Sequence, residues 1–131
     1  MIEQFFIKRF NPIGNHDQML IRKGIEMIKN HKGVVSAKLL SESLYTTPKT
    51  LERKFSHYIG KSTKQVIKLM RFQDVLSDFK PSRIMNLSEF AHQKGYFDQS
   101  HFIHDFKSYT GYTPKEFAQK YPNYNKDGES C

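Results

Sequence analysis

The strongest constraint on this chain is internal: slid against itself so that Tyr45 falls on Tyr96, its structural punctuation coincides. In that register, 51 residues apart, Phe55 meets Phe106, Tyr58 meets Tyr109, Gly60 meets Gly111 and Lys64 meets Lys115. Thr47, a good helix cap, falls on Asp98, another; Leu39 falls on Phe90 and Leu51 on Phe102. Agreement of caps, apolar anchors and terminal glycines in one register implies two copies of one supersecondary unit. Each copy reads as a short helix, a turn of about four residues and a second helix, the helix-turn-helix pattern. In the second copy Ala91 and Gly95 allow a close helix crossing and a left-handed turn. The same register puts Leu40 and Leu44 there in the first copy, a less typical unit.

Local signals fill in the rest, and all of them are helical. Leu20, Ile21, Gly24, Ile25 and Ile28 share one side of a helix that opens at His16 or Asp17 and ends at Gly33. Ser36 caps a helix to about Ser43, and Thr47-Pro48 opens one that runs to Gly60. Ser62 and Gln65 form a capping box for the longest helix, expected over 62–79. Val66, Ile67, Leu69, Met70, Phe72, Val75, Leu76 and Phe79 give it a face broad enough for contacts on two sides. Lys80-Pro81-Ser82 stops it; Asn86 with Glu89, Asp98, and Thr113-Pro114 with Glu116 open the last three helices. The expected fold is all-α: a seven-helix domain with two helix-turn-helix units joined by a long central helix. A short N-terminal helix over 2–10, with a stripe of Ile2, Phe5, Phe6 and Phe10, and its turn make residues 1–16 a linker. Residues 17–121 form the double unit, and 122–131 a polar, frayed tail.

Composition narrows the function. Among 131 residues, 21 Lys+Arg against 13 Asp+Glu leave a net charge of +8, which favours a polyanionic partner. Eleven Phe and seven Tyr supply a real core. The single cysteine, Cys131, permits a reducing compartment, and no apolar run is long enough to span a membrane. A cytoplasmic, nucleoid-associated protein with no membrane partner is expected. No phosphate-binding glycine loop or nucleophile-base arrangement is present, so no enzyme, catalytic residue or cofactor is expected. His101 and His104 lack a third nearby ligand, which argues against a metal, and His101 reads as a partly buried histidine beside a helix start.

Tyr96-Phe97-Asp98-Gln99-Ser100-His101-Phe102, then Phe106-Lys107, Gly111 and Thr113-Pro114-Lys115-Glu116-Phe117, resemble the signature of AraC-type transcriptional regulators. Leu39-Leu40, Leu44, Thr47 and Leu51-Glu52-Arg53-Lys54-Phe55 match that family's first helix-turn-helix. The resemblance covers residues 17–121. It implies a bacterial transcription factor whose two units enter successive major grooves of double-stranded DNA, with RNA polymerase as a further partner. Many relatives also carry an N-terminal sensor or dimerisation domain. Two departures stand out: His104 where the family commonly has Arg, and Thr63 in place of Pro. A helical protein-interaction module that no longer binds DNA is the alternative.

The expected contacts follow from the helix faces. Lys49, Glu52 and Arg53 lie opposite Leu51 and Phe55 on the first recognition helix, and Arg53 matches guanine O6 and N7. Glu52 suits cytosine N4 or a pair with Lys49. On the second, Gln99 suits adenine, Ser100 shares its turn, and His104 occupies the position of Arg53, able to donate to base or phosphate. Lys54, Lys61, Lys64, Lys107 and Lys115 are the expected phosphate contacts.

Overall fold

Capping chemistry sets most of the helix starts in the computed structural model, which describes residues 15–83 and 86–126. Among these residues there are seven α-helices and no strand: α1 Asn15–Asn30, α2 Ala37–Ser43, α3 Pro48–Ile59, α4 Thr63–Asp78, α5 Leu87–Gln93, α6 Gln99–Thr110 and α7 Pro114–Lys120. A 3-10 turn, Pro81–Arg83, follows α4. The helix expected over 2–10 lies outside the described residues. The Ser36, Thr47, Asn86, Asp98 and Thr113 side chains each accept from a backbone N–H three residues on, satisfying a donor the helix itself cannot. Ser62 and Gln65 do so reciprocally, at 3.0 and 2.8 Å, as do Thr113 and Glu116. The central helix is therefore 16 residues long, with Ser62 its cap and not its first turn.

The repeat register needs one correction. From the caps of α3 and α6 onward it holds: Leu51 and Phe102, Phe55 and Phe106 are buried, and Gly60 and Gly111 end their helices in the left-handed region. Before those caps it is shorter by one residue. Ser36 corresponds to Asn86 as N-cap, and the buried Ser41 to the buried Ala91. Thr46 N–H donates to Ser41 O at 2.9 Å, just as Tyr96 N–H donates to Ala91 O at 3.0 Å. The left-handed turn residue is Tyr45 (φ 57°) in the first unit and Gly95 (φ 85°) in the second. Residues 44–47 join α2 to α3, whereas 94–98 join α5 to α6. The second turn thus holds an extra residue. The matched tyrosines are not equivalent: Tyr45 is 97% exposed and Tyr96 only 4%.

Contacts divide the chain into two units, the boundary falling after Met70 within α4. The first unit buries Ile21, Ile25, Ile28, Leu40, Leu51, Phe55, Ile59, Val66 and Ile67, an aliphatic core around one phenylalanine. Space at Gly24 is tight: a Cβ would sit 3.1 Å from Phe55 Cζ, so any larger residue would require the ring to shift by a few tenths of an ångström. The second unit buries Phe72, Val75, Phe79, Ala91, Tyr96, Phe102, Phe106 and Phe117. Its rings meet edge to face: Phe106 lies 5.4 Å from Phe72, 5.8 Å from Phe102 and 5.3 Å from Phe117, centroid to centroid.

The tail departs from expectation within the second unit. Asn125 Nδ2 donates to Leu76 O at 2.8 Å and Phe79 O at 3.2 Å, and Tyr124 Oη donates to Leu76 O at 3.1 Å. These side chains take up carbonyls that the end of α4 cannot satisfy internally. Residues 122–126 therefore belong to the fold and are not a frayed tail. No helix among the described residues is long and apolar enough to cross a membrane.

Candidate nucleic-acid interface

Helix α3 buries Leu51, Phe55 and Ile59 and turns Lys49, Glu52, Arg53 and Ser56 outward. Helix α6 buries Phe102, Asp105 and Phe106 and leaves Gln99, Ser100, His101, His104 and Lys107 exposed. Arg53 and His104 hold the same place on the two helices. Each lines a surface groove, the first with Lys54, His57 and Tyr58, the second with Ser100, Ile103, Lys107, Ser108 and Thr113. Both helices leave a capped N-terminus with side chains free to approach a ligand. Lys61 and Lys64 are exposed at the start of α4, and Lys115 at the start of α7.

Two sequence-derived contacts have other occupations in the structure. The Glu52 carboxylate accepts from the Thr63 backbone N–H at 2.7 Å, tying the first half of α3 to the first residue of α4. Lys54 Nζ lies 2.8 Å from Asp17 Oδ1, while Tyr58 Oη donates to Asp17 Oδ2 at 2.8 Å. The first turn of α1 thus grips α3 through one carboxylate. Lys54, then Tyr58, holds the Asp17 carboxyl below its ordinary value, and Asp17 in turn raises the Tyr58 hydroxyl. The sequence marked Asp17 only as a helix start and not as an anchor, because its partners lie 37 and 41 residues away.

The second unit secures its recognition helix differently. Lys94, beside the turn, pairs with Asp74 at 2.9 Å and with Asp78, both on α4. Burial works against the Lys94 charge, but Asp78 and Asp74 outweigh it and raise its pKa. Under α6, the Arg71 guanidinium lies over the Tyr96 ring at 5.5 Å. Burial and then the Asp105 carboxylate push the Tyr96 hydroxyl far above the usual phenol range, with Arg71 opposing. Asp105 is itself buried. His101, expected partly buried, is exposed. Among the described residues no group of three or more His, Cys, Asp or Glu side chains is placed to hold a metal ion.

A family model described as a helix-turn-helix domain matches residues 40–120, well over half of the chain. The chain belongs to the AraC-type helix-turn-helix DNA-binding domains. The Bacillus subtilis (strain 168) protein named "Uncharacterized transcriptional regulatory protein YesN" is 29% identical over 109 residues. That match takes in 80% of this chain but only 30% of the relative, so the chain spans under a third of that protein's length. The C-terminal domain of AraT, a response regulator from Geobacillus stearothermophilus, superposes with a TM-score of 0.69 at 21% identity. The superposition covers 77% of this chain and 84% of the AraT domain, a likeness of fold.

Proposed function

We propose that this AraC-type domain reads DNA for a bacterial transcription regulator, with α3 and α6 entering successive major grooves. The observation that carries this is the matched pair of helices. Each follows a tight turn, buries one apolar face and presents polar side chains on the other. Arg53 and Lys49 read bases from α3; Gln99, Ser100 and His104 read them from α6. Lys61, Lys64, Lys107 and Lys115 bind phosphate and set register. Glu52 and Lys54 are better assigned to positioning, since Thr63 and Asp17 already engage them. The reading region runs from Asn15, where α1 begins, to residue 121. RNA polymerase, and a sensor or dimerisation domain in a longer regulator, are the protein partners this role implies. The setting is cytoplasmic, on the nucleoid, and no catalysis is involved.

Selection of bound duplexes from a random pool gives the site on which the reading is tested. Arg53→Ala and Gln99→Ala are expected to cost about 1–3 kcal/mol each on that site and to relax sequence preference at one position. Lys107→Ala should weaken all sequences alike and flatten the salt dependence. Binding that ignores both Arg53→Ala and Gln99→Ala, with no salt dependence, would favour the protein-interaction module instead.

A further inference from the structure

The residue by which the second turn exceeds the first leaves Tyr96 buried and Phe97 outside. Phe97 is 89% exposed, immediately before the Asp98 cap, and the first unit has no counterpart to it. The following residues, Asp98, Gln99, Ser100 and His101, are all exposed and polar. Along the chain Phe97 is therefore a single exposed ring followed by polar residues, not the start of an apolar run. It stands at the N-terminal end of α6, the end from which a recognition helix meets base edges. In the major groove the apolar feature of a base pair is the C5-methyl of thymine. We propose that Phe97 packs on a thymine methyl in the half-site read by α6, so that the longer turn adds an apolar contact to the hydrogen bonds of Gln99 and Ser100. This rests on α6 being a base-reading helix.

The test uses the whole chain and a duplex recovered by selection, with each thymine in turn replaced by uracil, which removes only the methyl. At one thymine in the α6 half, wild-type binding should fall about fourfold, the effect of exposing one apolar carbon. Phe97→Ala should bind the thymine duplex about fourfold to tenfold more weakly and lose all further sensitivity to uracil at that position. Phe97→Leu should keep part of the coupling. Thermal unfolding should be unchanged in both variants, because the side chain is exposed. Wild-type binding insensitive to every uracil overturns the proposal, as does a Phe97→Ala protein that binds normally or stays uracil-sensitive. Normal DNA binding by Phe97→Ala with lost transcription in a reconstituted assay also overturns it, in favour of a polymerase contact. Gln99→Ala separates the two readings. If it weakens binding while Phe97→Ala does not, only the Phe97 assignment falls; if neither does, α6 is not a reader.

Discussion

The two units repeat one motif with different materials. The first packs isoleucine and leucine around Phe55, and the second packs phenylalanine edges against phenylalanine faces. The first anchors its recognition helix to α1 through Asp17, and the second anchors its turn to α4 through Lys94. The first tolerates a tyrosine in a left-handed turn where the second uses glycine. What both keep is a buried pair one turn apart on the recognition helix, Leu51 with Phe55 and Phe102 with Phe106. The motif is specified by where apolar volume falls and where caps sit; the chemistry of that volume is free to drift.

Phe106→Ala empties a site touching four aromatic rings and is expected to cost about 3–5 kcal/mol in denaturant unfolding. A loss no larger than for Ile28→Val in the aliphatic core, about 0.5–1.5 kcal/mol, would show that the ring cluster is loosely packed. Asn125→Ala removes the side-chain donor to Ser77 O and Phe79 O, leaves Leu76 O with Tyr124 alone, and should cost about 1–3 kcal/mol. Amide exchange should report that loss in the second unit. Asp17→Asn weakens the grip on α3, at about 1 kcal/mol near neutral pH. Because the folded Asp17 pKa is depressed below 3.8, its contribution is present above that value and lost as pH falls through the folded pKa. The acid limb of the stability profile should therefore be shallower in Asp17→Asn. Tyr45→Gly imports the second unit's turn residue into the first and is expected to stabilise by about 0.5–1 kcal/mol, net of glycine's extra unfolded freedom. A destabilised Tyr45→Gly would mean that the exposed ring has a partner in the fold.

Short-range chemistry was legible in the sequence and long-range chemistry was not. Ser36, Thr47, Ser62, Asn86, Asp98 and Thr113 cap as expected, because a cap needs only residues three positions away. The buried faces of α3 and α6, and the exposure of Lys49, Arg53, Gln99, Ser100 and His104, follow from helical period alone. The register slip in the turn was hidden by the coincidence of Tyr45 with Tyr96, since identity carries no information about burial. Glu52 and Lys54 looked available because Thr63 and Asp17 come to them only through the fold. Asn125 offered no local pattern at all, its acceptors being 46–49 residues back.

The grip of Asn125 and Tyr124 also bears on how this domain is delimited. The family match stops at residue 120, the last residue of α7. A chain trimmed there would keep every helix and both recognition surfaces, yet lose the two side chains that seal the exit of α4. The family match and the hydrogen-bonded fold thus have different edges, and the second reaches Asn125.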